Sequence, residues 1–259
     1  MVASKPYSRF KITRKYISYI TSSQSRHDIH SPFVYSFVDE VLKPSSDFRK
    51  KDIEIERKRL EKSKQVIDFV DYGKSGNMFR KNISDIAKRA LKSKKYAQLL
   101  GKIVEYYNAS TVLELGTSLG ITTAYLAASA AHVTTLEGDP KVSEIAQGVW
   151  NQLGLTNISS IVGNFDKTLD NVVDKRFDII YIDGNHKLEP TLRYFHNLKQ
   201  KAHDGTIFIF DDIHYSKEME SAWDKIKMMD EVRVTIDLFF IGIVALSPSL
   251  SKENYSVRF

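Results

Sequence analysis

Thr111-Val-Leu-Glu-Leu-Gly-Thr-Ser-Leu-Gly120 is the stretch that most constrains what this chain folds into. An apolar run ends in Glu114, glycines follow at 116 and 120, and Ile121 to Ala131 reads as an apolar helix. Strand, glycine turn and helix together open a nucleotide-type α/β site. Glycine lets the backbone approach a ligand, and the helix N-terminus offers free N–H groups. About twenty residues on, His132-Val-Thr-Thr-Leu-Glu137 reads as a second strand ending in a carboxylate, at the spacing that suits a ribose hydroxyl pair. Three residues after Gly120 stands Thr123 rather than glycine, so the dinucleotide fingerprint is incomplete. An adenosine compound fits this better than NAD.

The rest of the chain supports an α/β fold. From Thr111 onward strands are expected at 111–116, 132–137, 158–163, 177–183, 205–211, 232–238 and 240–247, with helices in the first five gaps. Phe177–Asp183 and Gly205–Asp211 are nearly continuous apolar runs, as parallel strands covered on both faces require. The last two strands abut and predict an antiparallel hairpin. The expectation is a Rossmann-like, doubly wound, seven-stranded sheet with an antiparallel last strand, preceded by a helical extension. Domain limits are expected at 1–94 and 95–259. Asp139-Pro140 and Ser31-Pro32 read as helix starts and Pro44 as a stop. Residues 46–70 read as a mostly exposed helix and Asp71–Asn77 as a turn, with further helices at 82–92 and 93–108.

Composition sets the outer bounds. With 259 residues, 42% of them hydrophobic, the chain can bury a full core. It has no cysteine, which removes disulfides, thiolate zinc sites and cysteine nucleophiles and suits the cytoplasm. No secretory-type or membrane-spanning apolar run is seen. Residues 1–100 hold 23 Lys and Arg against 11 Asp and Glu, whereas residues 101–259 reverse the balance, 15 against 21. Within residues 1–20, Lys5, Arg9, Lys11, Arg14 and Lys15 interleave with Tyr7, Phe10, Tyr16 and Tyr19. Three readings of that segment stand side by side: a solvated capping helix, a nucleic-acid contact and an anionic membrane contact.

Polar residues fall at the expected strand ends, where open α/β sheets hold ligands: Glu114, Glu137, Asn164, Asp183, Asn185, His186, Asp211 and Asp212. Adjacent strands lie ~4.8 Å apart, so Asp183, Asp211 and Asp212 have room to converge. Two carboxylates ~4 Å apart repel by about 4 kcal/mol at an effective dielectric of ~20. Three want a cation or a proton, and oxygen ligation favours Mg²⁺ or Ca²⁺ over zinc. The competing reading is a helix cap or a lysine partner. His27 and His30 flank Asp28 at metal-pair spacing, but a polar turn leading into a helix explains them better. His214 is placed at a pocket edge or on the surface, and Trp150 and Trp223 in packing.

On these residues, roughly 95–250 resemble the class I S-adenosylmethionine-dependent methyltransferases, and within them the metal-dependent, catechol-type O-methyltransferases. The resemblance implies that Glu114 and Gly116, Thr117, Ser118 and Gly120 frame the methionine part of the cofactor, with Thr122 nearby. It implies that Glu137 grips the ribose and that Val162-Gly163-Asn164-Phe165-Asp166 flanks the adenine. Asp183, Asp211 and Asp212 fall on the metal-ligand positions, the third of which is often Asn in the family, and Asp183 would also touch the cofactor. Where the family carries a lysine base shortly after the first metal Asp, this chain has His186 followed by Lys187. The implied activity is methylation of a small hydroxylated molecule with Mg²⁺ or another divalent cation. The alternatives are an RNA or other macromolecular methyltransferase docking through the basic N-terminal region, and a non-catalytic scaffold. The acceptor and the oligomeric state are not legible.

Overall fold

In the computed structural model the fold is mixed α/β, with eight strands in a large, mostly parallel sheet and a separate two-stranded hairpin. The structure describes residues 5–43, 50–71, 77–130, 132–172 and 176–259. Pro44, the body of the expected turn at 71–77 and the end of the expected helix at Ala131 lie outside them.

The N-terminal elements are α1 (Arg9–Ser22), α2 (Pro32–Val41) and α3 (Lys51–Lys62), then β1 (Val66–Asp71), β2 (Asn77–Asn82), α4 (Ile83–Ala90) and α5 (Lys94–Tyr106). The alternating region follows with β3 (Thr111–Leu115), α6 (Ile121–Ala127), β4 (His132–Glu137), α7 (Pro140–Gln152), β5 (Ile158–Val162) and α8 (Phe165–Thr168). It continues with β6 (Ile179–Ile182), α9 (Leu188–Lys199), β7 (Ile207–Asp211), α10 (Lys217–Met228), β8 (Val234–Asp237), β9 (Ile241–Ala245) and β10 (Glu253–Ser256). The chain groups into two compact units, residues 44–175 and residues 1–43 with 176–259.

In the unit of residues 44–175, β3, β4 and β5 pair in parallel in that order. Every residue of α6 is buried, as expected from its apolar sequence. The expected exposed helix over 46–70 is corrected on two points. It ends at Lys62, and Ile53, Glu56, Arg57 and Leu60 are buried. Some of its charges, among them Glu54 and Arg57, look solvated in sequence but are spent internally. Arg57 pairs with Glu54 at 3.0 Å and donates to the Lys92 carbonyl at 2.7 Å, while the Tyr125 hydroxyl donates to Glu54 at 2.8 Å. The second point is strand β1, which pairs antiparallel with β2. Val66, Ile67, Phe69 and Val70 are β-branched or aromatic residues that favour a strand over a helix.

In the other unit the order is β10-β8-β9-β7-β6. β6 and β7 are parallel and fully buried. The expected β8–β9 hairpin is present and antiparallel. The strand that runs against its neighbours is β9, and an eighth strand, β10, adds in parallel to β8. Glu-Asn-Tyr-Ser is too short and polar to announce that edge strand by pattern. Phe195 packs edge-on to Phe208 and Phe210, and Phe210 abuts Trp223. α1 buries Tyr19 against Phe239 and sets Tyr16 edge-on to the same ring.

Candidate functional site

The glycine turn belongs to the unit of residues 44–175. After β3 the backbone goes left-handed at Gly116 (φ 105°), Ser118 (φ 49°) and Gly120 (φ 78°). The Gly116 and Thr117 amides donate to the Leu136 carbonyl at 2.9 and 3.2 Å, so the turn is tied to the end of β4. There Glu137 accepts from the Ser118 amide at 2.8 Å and the Asp139 amide at 3.1 Å. Burial pushes the Glu137 carboxyl up to about 7, against the pull of the Asp139, Ser118 and Gly138 amides. The carboxylate expected at the ribose position therefore touches the glycine turn itself.

The other expected cofactor residues have distinct local roles. Glu114 is buried and accepts from the Thr123 and Thr135 hydroxyls, while Thr117 and Thr135 share a 2.6 Å bond. That chain of hydroxyls locks β3, β4 and α6 together beneath the turn. Thr122 is buried on α6. Gly163, at φ 142°, donates to the Glu137 carbonyl at 2.8 Å. Asn164 caps α8 by accepting from the Asp166 amide at 2.9 Å. Asp139, the cap of α7, also accepts from the Val70 amide of β1 at 2.7 Å, which ties the hairpin to the start of α7, two residues after Glu137.

Trp150 does more than pack. Its indole Nε1 donates to the Gly120 carbonyl at 3.0 Å. Trp150→Phe keeps most of the apolar contact and removes this bond, leaving the Gly120 carbonyl only the Ala124 amide at 3.0 Å as donor. A loss of about 0.5–1.5 kcal/mol in urea unfolding is expected, with weaker binding of S-adenosylhomocysteine. Unchanged stability would show that packing alone holds the turn.

In the unit that contains residues 176–259, Asp183, His186 and Asp211 gather so that one ligand atom from each lies within 4.8 Å of the others. His186 Nε2 stands 3.3 Å from Asp183 Oδ1, and Tyr181 donates to Asp183 Oδ2 at 2.9 Å. Tyr181 lies two residues before Asp183 on the same strand face, a period-2 signal available in the sequence. Asp211 is buried. Burial opposes a charge on His186, but the Asp183 hydrogen bond and the charges of Asp212, Asp183 and Asp211 outweigh it and raise the imidazole to about 9. Asn185 (φ 67°), His186 (φ 33°) and Asp212 (φ 52°) are left-handed without being glycine. Such strain tends to collect at functional turns. The Asn185 amide donates to the Tyr194 hydroxyl at 2.8 Å, and Lys187 stands at the N-cap of α9.

Asp212 is not in the gathered group, although its charge reaches His186; it lies past the end of β7. Its amide donates to the Phe240 carbonyl at 2.7 Å. Neither His27 nor His30 joins a metal-type group among the described residues. Asp28 between them accepts from the Ser25 amide and hydroxyl, as in a polar turn before a helix. His214 bridges Glu220 at 3.2 Å and Asp237 at 2.8 Å, an arrangement that sequence spacing does not announce. Trp223 is buried, as expected.

Comparison with known proteins agrees with this geometry. Residues 113–213 match the methyltransferase domain family. A catechol O-methyltransferase from Niastella koreensis is 31% identical over 126 residues, 46% of this chain; the match spans 55% of that relative's length. An O-methyltransferase from Bacillus cereus solved with SAH superposes with a TM-score of 0.57 at 19% identity, covering 82% of this chain and 97% of that one. An SAH-bound methyltransferase from Podospora anserina gives 0.59 at 12% identity, covering 95% and 100%. At those identities the structures establish the fold. Together with the glycine turn and Glu137, the sequence matches bear out the resemblance to S-adenosylmethionine-dependent O-methyltransferases: residues 113–213 match a methyltransferase domain, on a Rossmann-like fold.

Proposed function

We propose that the chain is an S-adenosylmethionine-dependent O-methyltransferase that acts on a small hydroxylated acceptor, catechols being the first class to test. The observation that carries the proposal is the contact of Glu137 with the Ser118 amide at 2.8 Å inside a methyltransferase-type glycine turn. Gly116, Thr117, Ser118 and Gly120 frame the methionine part of the cofactor, with Glu114 and Thr122 supporting the turn from beneath. Glu137 accepts the ribose hydroxyls, and Gly163 and Asn164 flank the adenine. Residues 95–259 carry the catalytic function and residues 1–94 form a basic extension. A cytoplasmic location belongs to the same reading.

The donor set of Asp183, His186 and Asp211 fits a divalent cation: two carboxylates, one of them buried, and an imidazole. Asp212, at the next position and outside the gathered group, adds its negative charge beside His186. A cation there would lower the acceptor hydroxyl's pKa and fix its direction. The single hydroxyl proton goes to one of two bases, Lys187 where His186 serves the cation or neutral His186 where it does not, and Asp183 orients His186 through the 3.3 Å contact. Because the sulfonium methyl is already activated, the protein's main task is to place the acceptor oxygen in line with it.

The test is calorimetric titration of S-adenosylhomocysteine with and without Mg²⁺ or Mn²⁺, on wild type and Asp211→Asn. Methyl transfer to a catechol panel follows. Binding of the nucleoside with metal binding lost in the variant is expected. Failure to bind S-adenosylhomocysteine would overturn the enzyme reading, and metal-independent transfer would remove only the cation.

A further inference from the structure

The outer face of α1 is amphipathic in a way that the fold does not use. Its inner side is anchored: Tyr19 packs on Phe239, its hydroxyl donates to the Val257 carbonyl, and Tyr16 meets Phe239 and Phe240. Lys15 pairs with Glu220 at 2.7 Å, and the Tyr7 hydroxyl donates to the same carboxylate at 2.8 Å. Phe10 and Ile17, seven residues apart and so on one face, are 81% and 59% exposed. Arg14 shares that face, and Arg9 and Lys11 flank it, all exposed. The helix contains no acidic residue.

We infer that this face is a docking surface for an anionic lipid bilayer. Two apolar side chains at the apex with cations beside them are the pattern of a helix lying in the membrane interface: the apolar pair enters the headgroup boundary and the cations meet lipid phosphates. The partner must be anionic, because the face offers only positive charge. Single-stranded nucleic acid would also meet the cations but stacks successive bases on several aromatic platforms. Among the aromatic residues of this segment, only the Phe10 ring is largely exposed: Tyr16 and Tyr19 face inward, and Lys11 sits 3.8 Å above the Tyr7 ring. The partner of Phe10 at the apex, Ile17, has no stacking face, so one ring stands where a strand needs a series. No described helix is long and apolar enough to cross a membrane, so the contact is peripheral.

The test is co-sedimentation of the full chain with vesicles of phosphatidylglycerol and phosphatidylcholine, compared with pure phosphatidylcholine. Binding is expected only to the anionic vesicles and should weaken as salt is raised. Phe10→Ser with Ile17→Ser, and separately Arg9→Glu with Arg14→Glu, should each lower the bound fraction about tenfold while circular dichroism stays unchanged. No vesicle binding, equal binding to neutral vesicles, or binding that both double variants retain would overturn the inference. So would a dimer in sedimentation velocity that the Phe10/Ile17 variant dissolves, or RNA capture without lipid capture.

Discussion

Gly120→Ala is expected to destabilise the protein by about 2–5 kcal/mol in urea unfolding and to remove measurable S-adenosylhomocysteine binding. Two independent costs act at this residue. The backbone sits at φ 78°, where a Cβ costs roughly 1–2 kcal/mol. The added carbon would also lie 2.7 Å from the Trp150 Nε1, 2.8 Å from the Ala146 Cβ and 3.0 Å from the Ala146 Cα. Relief requires α7 to shift, and overpacking of that kind costs roughly 1–3 kcal/mol. The same shift breaks the bond from Trp150 to the Gly120 carbonyl. Gly148 supplies the contrast: it lies within α7, and a Cβ added there would meet nothing within 4 Å, so Gly148→Ala should stabilise by about 0.5–1 kcal/mol. Equal stability of Gly120→Ala and wild type would mean that the turn is not held as the structure places it.

The glycine turn that holds Gly120 shows what sequence reading can reach. Gly116 and Gly120 are legible because a strand-to-helix turn with positive φ selects glycine in almost any context. Glu137 is legible because a carboxylate at the end of the next strand is set by strand length and crossover length. Trp150 is not, because its bond to Gly120 spans thirty residues and depends on how α7 packs. The β1–β2 hairpin stayed hidden for a different reason. Asp68 and the dense charges of α3 mask a short apolar alternation, and the pairing partner begins only at Asn77. In the acidic cluster, Asp183 and Asp211 follow from the strand ends, whereas the left-handed backbone at Asn185 and His186 that accompanies the His186–Asp183 contact carries no sequence signature beyond the residue types.

Glu137→Gln is expected to lower S-adenosylhomocysteine affinity by at least tenfold and to abolish its pH dependence between pH 6 and 8. The carboxylate already accepts two backbone amides, and a ribose hydroxyl bond to a charged acceptor is worth of order 1.5–3 kcal/mol, about 1 kcal/mol or more above a neutral one. In the folded chain burial holds the group at about 7, so near neutrality a substantial fraction carries a proton. Hydroxyl donors favour the ionised form. Binding therefore releases protons below pH 7, and affinity falls by up to about tenfold per pH unit there. For stability the sign runs the other way. A carboxyl whose folded pKa is raised favours folding when protonated, fully below about pH 4.5, and that contribution is lost as pH rises through 7. Calorimetry in two buffers of different ionisation heat reads the proton release directly. Wild-type binding with no proton release at pH 6.5 would show that Glu137 does not meet the ribose, whatever the affinity of the variant.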